Sequence, residues 1–319
     1  MNYIVFDLEW NQSPDGKKYE NSRLPFEIIE IGAVKLNEKK EITDSFHRLI
    51  KPQVYNWIHD SIHEVIHVDY KDLAGGLLFQ QAAKEFIEWC GPEWYFFTWG
   101  SQDVMELQRN MKYYDILPLL PGPVTYYDVQ KLFSICYEDH KSRRALEYAI
   151  DKIGISKNHG FHRALADAYY TAEVLRNIDD SYILPNSSLD VYQNPTKKKD
   201  EIYISYPNYD KYVSREFYTR EKAMKDREVT STRCPVCHTA AKRKIRWFMN
   251  NSKIYYSLSV CPEHGDVRGK IRIRKADSGR YYVVKTLKVA DTEEAEEIRM
   301  KREALRRKRQ LKRKLEKEV

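Results

Sequence analysis

The run at residues 3–9, YIVFDLE, contains the features that decide the fold and its chemistry. Its β-rich composition predicts a strand, and successive side chains of a strand point to opposite faces. Asp7 and Glu9 therefore share one face, while Phe6 and Leu8 point toward the core. Two residues span about 6.6 Å of strand, a scale that suits carboxylates straddling metal ions about 4 Å apart. The competing interpretation is a strand end with two solvated acids.

Outward from this run, the sequence alternates between strand and helix patterns. Two β-rich segments, residues 27–36 and 42–50, are joined by a short polar loop and predict an antiparallel hairpin. Later segments show helical spacing around one apolar strand. The predicted strand covers residues 94–99, and the predicted helices cover residues 79–89, 104–111, 126–136, 144–153 and 164–178. This order predicts an α/β architecture in which helices flank a mixed sheet.

Two later segments place further candidate ligands at the ends of predicted elements. Asp103 follows the strand that ends at Gly100, and Asp167 lies in the early turns of the last long helix. His162 lies five residues before Asp167, so the two do not share a helix face and His162 is predicted on the entry loop. Each residue alone also has an ordinary interpretation, because acids favour the first turn of a helix and many histidines lie at the surface.

Three motifs in this order resemble the DEDDh exonucleases, a family that includes RNase T, the proofreading subunit of bacterial DNA polymerase III and the Eri-type RNA exonucleases. They are DLE at residues 7–9, WGSQD at 99–103 and HRALADA at 162–168. The resemblance covers about the first 180 residues. Residues 27–34 and 46–52 are similar to the family's second and third strands. Residues 62–66, IHEVI, depart from the Leu-Thr-Gly-Ile stretch that many members have near the terminal-base pocket.

The resemblance implies an RNase H-like fold and the removal of nucleotides one at a time from 3′ ends. It also implies that Asp7, Glu9, Asp103 and Asp167 bind two divalent metal ions, and that His162 is the general base. The residue types agree with this, because carboxylates are hard donors that select Mg²⁺ or Mn²⁺ and an imidazole can accept a proton near neutral pH. We therefore expect a two-metal 3′→5′ exonuclease that acts on single-stranded RNA or DNA.

Three of the five cysteines lie close together in the second half of the chain. The pairs Cys234-Pro-Val-Cys237 and Cys261-Pro-Glu-His264 are separated by 23 residues, which predict a hairpin around positions 250–251. The spacing is typical of a zinc ribbon, in which one structural Zn²⁺ has four protein ligands and no open position for catalysis. We interpret the other candidate sulfur and imidazole ligands as bystander or core residues: His238, Cys90 and Cys136.

The charge of the chain is divided unevenly. Residues 1–180 hold 20 Lys and Arg against 28 Asp and Glu, whereas residues 181–319 hold 34 against 19. An acidic part suits cations, and a basic part suits phosphates. Basic and aromatic residues alternate at 242–248 and 268–282, a pattern typical of nucleic-acid contacts or of a solvated strand face. The predicted domains are an exonuclease domain at 1–180, a linker at 181–230, a zinc-ribbon-like module at 231–290 and a basic helix at 291–319.

The last of these segments begins with a capping pattern at Asp291 and Glu294. Eleven Lys or Arg occupy residues 299–317 against two Glu, and the few apolar residues predict no deep core contact. Two interpretations stay open. The segment is either a solvated helix or an arm that follows the phosphates of a single-stranded substrate.

The remaining sequence features restrict the partners and the location of the protein. No apolar run approaches the roughly 20 residues of a membrane helix, and the start lacks a signal-like pattern, so we expect a cytoplasmic protein without a membrane partner. The oligomeric state stays open. Two other functions compete with an exonuclease: a catalytically silent nucleic-acid-binding or adaptor protein on a nuclease fold, and a zinc-dependent regulator. The complete set of five acidic and histidine residues argues against the silent protein.

Overall fold

A computed structural model describes the chain over residues 2–58, 70–158, 160–207, 209–250 and 252–315. The chain divides into two units, Met1–Gln193 and Asn194–Val319. Residues 62–66, where the sequence departs from the family's base-pocket pattern, lie outside the described residues. None of the helices in these ranges combines the length and the apolar character that crossing a membrane requires.

The first unit is built on one six-stranded sheet. Its strands are β1 (Asn2–Asn11), β2 (Glu27–Leu36), β3 (Ile42–Leu49), β4 (Trp94–Thr98), β5 (Thr125–Asp128) and β6 (Ser188–Leu189). They are hydrogen-bonded in the order β3-β2-β1-β4-β5-β6. β1 is antiparallel to β2 and parallel to β4, and β4 is parallel to β5. The predicted β2–β3 hairpin is present. This topology confirms the predicted α/β class with an RNase H-like mixed sheet.

Helices cover both faces of this sheet. They are α1 (Tyr70–Ala74), α2 (Phe79–Cys90), α3 (Gln102–Tyr113), α4 (Val129–Tyr137), α5 (Leu146–Ile153), α6 (Ala164–Arg176) and α7 (Asp180–Ile183), with short 3-10 turns at Lys17–Tyr19, Leu117–Leu119 and Leu184–Asn186. Ile4, Phe6 and Leu8 of β1 pack in the core with α2 and α3. Val5 packs in the opposite core with α4, α5 and α6. β1 is therefore buried on both faces, as its apolar run requires.

Several predicted boundaries in the first unit differ from the structure by one or two residues, and the start of one helix differs by three. Residues 126–128, predicted as the start of a helix, belong to β5 because they pair with the parallel strand β4. The helix begins only after Asp128, whose carboxylate accepts the N–H of Lys131 at 2.9 Å. The helix predicted over residues 164–178 ends at Arg176. Helical spacing in a short window of sequence contains no information about a strand partner that lies elsewhere in the chain.

The segment 181–230, interpreted from its composition as a linker, contains regular structure in both units. The division between the units falls after Gln193. Before it, β6 pairs with β5 of the first sheet. After it, β7 (Ile202–Ser205) and β8 (Tyr209–Val213) join the sheet of the second unit. Composition misled here because Pro, Asn and Lys also occur in the turns between paired strands, and the pairing itself is long-range.

The second unit is a six-stranded sheet in which the described neighbouring strands are all antiparallel. Its other strands are β9 (Lys242–Met249), β10 (Tyr255–Cys261), β11 (Gly265–Lys275) and β12 (Tyr281–Val289), in the order β7-β8-β12-β11-β10-β9. The predicted hairpin of the cysteine module is the β9–β10 pair. Two short helices, α8 (Arg220–Lys225) and α9 (Arg227–Thr230), pack on one face of this sheet, and a 3-10 turn covers Lys198–Asp200.

The C-terminal helix, α10 (Thr292–Leu315), begins where the sequence predicts it. The N–H of Glu294 donates to the carboxylate of Asp291 at 2.8 Å, which confirms the capping interaction. The expectation of no deep core contact is wrong for the first turns, since Ala295 and Ile298 are buried against β9 and β10. A few apolar residues suffice because they recur on one side of the helix.

Candidate active site

Asp7 and Glu9 lie on β1 in the middle of the first sheet. In the pairing with β2, Asp7 lies opposite Gly32 and Glu9 lies opposite Glu30, and the register shifts after Glu9. Burial raises the pKa of Asp7 well above its usual value, and the negative charges of Asp103 and Glu9 raise it further. Burial and neighbouring acids likewise raise the pKa of Glu9 to about 8. A bound cation would favour the ionised forms of both carboxylates.

Asp167 reaches this site because α6 begins directly over β2. Gly32 makes the close approach possible, since a Cβ at this position would lie 2.0 Å from the backbone nitrogen of Leu165. Asp167 lies in the first turn of α6, and its Oδ2 accepts the N–H of His162 at 3.1 Å. Its Oδ1 is buried and has no hydrogen-bond partner among the described residues. Burial raises the pKa of Asp167 to about 6, although the bond from His162 opposes this shift.

Three carboxylates converge at this point of the fold. One oxygen from each of Asp7, Glu9 and Asp167 lies within 4.8 Å of the other two. Ionised groups this close repel one another strongly in a buried setting. The donor set and the unpartnered Oδ1 of Asp167 fit a hard divalent cation, such as Mg²⁺ or Mn²⁺.

Asp103 borders the same cavity from the first turn of α3. The cavity has a volume of about 380 Å³. Besides the four acids, its lining includes Leu8, Trp10, Trp99 and Gln130. The Oδ1 of Asp103 accepts the N–H of Leu8 at 3.3 Å, and burial raises the pKa of Asp103 to about 7. The structure thus brings all four predicted acids to one cavity, with Asp103 outside the closest group of three.

His162 lies beside this cavity on the loop before α6, as predicted. Its side chain is exposed, and its backbone φ of 64° lies in the left-handed region, which is uncommon outside glycine. The hydrogen bond from its N–H to Asp167 holds this conformation. The structure therefore positions the backbone of His162 directly beside one of the converging acids.

A buried ion-pair cluster that sequence analysis missed holds the same loop from the other side. Glu30 on β2 is only 1% exposed. Its carboxylate accepts hydrogen bonds from Nε of Arg163 at 3.1 Å and Nη2 at 3.2 Å, and it contacts Nε2 of His47 at 2.7 Å. Burial acts to raise the pKa of Glu30, but these two partners hold it below its usual value. The available signal was an acid in the middle of an apolar strand.

The four predicted zinc ligands lie together in the second unit. The ligand atoms of Cys234, Cys237, Cys261 and His264 are all within 4.8 Å of one another. The Sγ of Cys261 lies 3.6 Å from Sγ of Cys237 and 3.7 Å from Nδ1 of His264. Burial acts to raise the pKa of Cys261, but backbone N–H groups of His264 and Glu263 lower it to about 7. A soft donor set with ready thiolate formation fits Zn²⁺.

The residues interpreted as bystanders lie outside this cluster. Nδ1 of His238 lies 3.6 Å from Oδ2 of Asp210. Cys90 is buried in one core of the first unit, and Cys136 packs against its other core. Each has a local environment that accounts for it without a metal.

Comparison with known proteins identifies one family. The family model for the RNase T exonucleases matches residues 4–175. No curated protein matches the chain. Among solved structures, the nuclease domain of 3′hExo, a DEDDh family member bound to rAMP, is 19% identical with a TM-score of 0.48, and the match covers 55% of this chain and 90% of that one. The cell-death related nuclease CRN-4 is 15% identical with a TM-score of 0.49, and the match covers 64% of this chain and 68% of that one. E. coli exonuclease I in complex with a dA16 oligonucleotide is 15% identical with a TM-score of 0.45, and the match covers 55% of this chain and 40% of that one.

Proposed function

The chain belongs to the RNase T exonuclease family and is a 3′→5′ exonuclease, and from this premise we propose that it hydrolyses single-stranded nucleic acid with two divalent metal ions. The observation that supports this most directly is the convergence of Asp7, Glu9 and Asp167, whose oxygens lie within 4.8 Å of one another. Asp103 adds a fourth acid at the same cavity. These acids are half-buried and raise one another's pKa values, which an ordinary structural role does not require.

These four acids would hold two ions of Mg²⁺ or Mn²⁺. Bound there, the ions would lower the pKa of a water molecule and stabilise the charge that develops on the leaving 3′ oxygen. The fold of the first unit sets the positions of these ligands. β1 holds Asp7 and Glu9, and the close packing of α6 over Gly32 places Asp167 beside them. Ligands on a central strand and a packed helix are held more rigidly than ligands on loops.

His162 would accept the proton of the attacking water. The backbone N–H of His162 is bonded to Asp167, which keeps this residue beside the acid cluster, and its side chain is exposed. A neutral imidazole is an effective proton acceptor near neutral pH, and general-base catalysis of this kind contributes about 10²–10⁴-fold to rate. In this proposal, the hydrogen bond to Asp167 and the Arg163–Glu30 pair together orient the loop toward the substrate.

The walls of the cavity suit the terminal nucleotide of a single strand. Trp10, Trp99 and Leu8 offer aromatic and apolar surface next to the acids in a volume of about 380 Å³. Aromatic rings stack on any base, so this contact carries little sequence preference. We therefore propose a substrate range of single-stranded ends with little dependence on sequence, in RNA or DNA.

A single structural Zn²⁺ is the corresponding proposal for the second unit. Cys234, Cys237, Cys261 and His264 would supply all four ligands, which leaves no position for a reacting water. The ion would join the turn at Cys234 and Cys237 to the turn between β10 and β11. In small β-rich units, metal binding of this kind contributes directly to folding.

The proposed function is tested by following the shortening of 5′-labelled single strands of matched RNA and DNA. Activity should require added Mg²⁺ or Mn²⁺ and should stop with excess EDTA. Asp7→Asn preserves volume but removes a ligand charge, so it should abolish most activity while the fold is kept. Asp151→Asn is the matched control, because Asp151 lies on α5 and its side chain is 61% exposed.

Wild-type turnover in purified Asp7→Asn with Mg²⁺ would show that the site is wrongly assigned. Labelled fragments cut at internal positions, without a ladder of progressively shorter strands, would contradict exonucleolytic removal from the 3′ end. The same gels, read for RNA and DNA side by side, establish which sugar the enzyme prefers.

A further inference from the structure

The sheet of the second unit carries a row of basic side chains on one face. Alternate residues of β11 point to the same side, because side chains alternate along a strand. Four of them are basic: Arg268, Lys270, Arg272 and Arg274. The residues between them point to the opposite face, where Ile271 is buried against helices α8 and α9. One face of this sheet is therefore basic along β11, and the other is apolar and covered by helices.

Most of the charge in this row has no acidic partner in the part of the chain that the structure describes. Arg268 is paired with Glu294 at 3.0 Å. Lys270, Arg272 and Arg274 form no side-chain hydrogen bond or ion pair with the described residues, and the last two are exposed. Burial lowers the pKa of Lys270, and repulsion from Arg272, Arg268 and Lys301 lowers it further, while the charge of Glu297 on α10 opposes this shift. An anionic ligand would relieve this repulsion.

The positive surface continues from the sheet onto α10. Lys270 lies opposite Tyr256 in the β10–β11 pairing. The Nζ of Lys301 lies 4.7 Å from the centre of the Tyr256 ring and also forms an ion pair with Glu297, one turn earlier on α10. Arg302, the next residue of α10, lies 5.5 Å from the ring of Phe248 on β9. These cation–π contacts hold two basic side chains of the helix beside the row on β11.

The chemistry of this surface fits a chain of phosphates. Alternate residues of a strand are about 6.6 Å apart, which is comparable with the spacing of successive phosphates in an extended single strand. Arginine forks bind phosphate oxygens in pairs, and the lysines add point charges. Charge complementarity thus favours a nucleic-acid strand as the occupant.

We propose that the surface formed by Lys270, Arg272, Arg274, Lys301 and Arg302, here named the basic face, binds the phosphate backbone of single-stranded nucleic acid. This inference rests on the proposed function, since the bound strand is the substrate of the first unit. The basic face supplies affinity for long strands without sequence preference, while the chemistry stays with the acids of the first unit.

The test uses the full-length chain with Lys270→Gln, Arg272→Gln and Arg274→Gln combined. Binding is measured by fluorescence anisotropy with a 5′-labelled single strand whose 3′-terminal linkages resist hydrolysis. The affinity should fall, and the slope of log affinity against log salt should become shallower by about 2, since each phosphate contact on a single strand contributes about 0.7. The loss should be similar for different base sequences.

The matched control removes the same charge from the helices that pack on the opposite face of the same sheet. It combines Lys222→Gln, Lys225→Gln and Arg227→Gln, all at exposed positions. This variant should bind with the wild-type affinity and salt slope. Because Lys270 is half-buried, the double variant Arg272→Gln and Arg274→Gln provides a second test at exposed positions only.

Equal affinity and equal salt slope in the folded triple and double variants would overturn the proposal, as would an equal loss in the control variant. Preference of the wild type for anionic lipid vesicles over the oligonucleotide would overturn it as well. Wild-type hydrolysis of trinucleotides by the triple variant supports it, because the substitutions leave the acids of the first unit unchanged. If the wild type binds through the basic face but hydrolyses nothing, the proposed function fails and the binding site stands.

Discussion

At the residue scale, the geometry of His162 allows a clean separation of its structural and chemical roles. Its backbone N–H donates to the carboxylate of Asp167, and its backbone φ is 64°. A substitution must preserve both features. Asparagine tolerates the left-handed region better than alanine, and its amide cannot accept the water proton. His162→Asn should therefore lower kcat by about 10²–10⁴-fold and leave Mg²⁺ binding and the melting temperature nearly unchanged. A kcat equal to that of the wild type would reduce His162 to a structural loop residue.

Glu30 is the second residue whose role the structure makes testable. It accepts hydrogen bonds from Nε and Nη2 of Arg163, the residue after His162, so it positions the loop without touching substrate. Glu30→Gln keeps the volume but removes the charge that holds Arg163. We expect kcat to fall by about 10–100-fold with little change in KM, because small displacements of a reacting group are costly.

The matched control for Glu30 is His47→Gln. It removes the other partner of the same carboxylate and leaves the pair with Arg163 in place. This variant should keep a kcat close to that of the wild type. Equal losses of kcat in the two variants, or a change confined to KM, would contradict a role for Glu30 in positioning His162.

At the scale of elements, the two sites depend on different kinds of contact. The acid cluster depends on a helix packed tightly against a strand, where Gly32 leaves room for the start of α6. The cysteine cluster depends on two turns at the ends of antiparallel strands. The first is held by a large apolar core, and the second has only a small one around it. Loss of a ligand should therefore affect stability far more in the second unit.

Cys234→Ser tests this difference directly. Protein purified without added zinc should contain about one Zn²⁺ per chain by elemental analysis, and the variant should contain almost none. Hydrogen exchange should then rise across β9–β12 because metal binding is coupled to folding, while activity on trinucleotides persists. Cys136→Ser, outside the cluster on α4, should keep its zinc. A folded, reduced wild-type protein without zinc would rule out the structural site.

At the scale of the whole molecule, the acid cluster links stability to pH and to metal. The pKa values of Glu9, Asp103 and Asp167 are raised to about 8, 7 and 6, against 4.5, 3.8 and 3.8 as ordinary values. In the metal-free protein, the folded state thus binds more protons than the unfolded chain between about pH 4 and 8. The stability that the cluster contributes is present at low pH and is lost as the pH rises through this range.

A divalent cation should reverse this loss, since it binds the folded state through the ionised acids. We expect Mg²⁺ to raise the melting temperature more at pH 8 than at pH 5, as measured by calorimetry on protein first freed of Mg²⁺. Asp7→Asn should show a smaller metal-induced shift and a weaker dependence on pH. The same Mg²⁺-induced shift at both pH values would be incompatible with a metal site built from these acids.

The sequence by itself determined those features that depend on residues close together in the chain. Asp7 and Glu9 share a face because side chains alternate along a strand, and Cys234 and Cys237 share a turn because four residues are enough to form one. The helix cap at Asp291 is equally local. The order of the three acidic motifs also identified the family, and the family match confirms that identification. The mixed α/β sheet followed from the same local patterns.

Only the tertiary structure decided features that depend on distant partners. Glu30 and Arg163 are 133 positions apart, and no local spacing rule indicates that they pair. β8 enters the second sheet by pairing with β12, more than 70 residues further along the chain, and β7 joins the sheet through β8. The burial of Ile298 depends on a sheet surface that α10 meets only after folding. The physical reason is common to all three: side-chain patterns specify local geometry, whereas partners and burial are fixed when the whole chain packs.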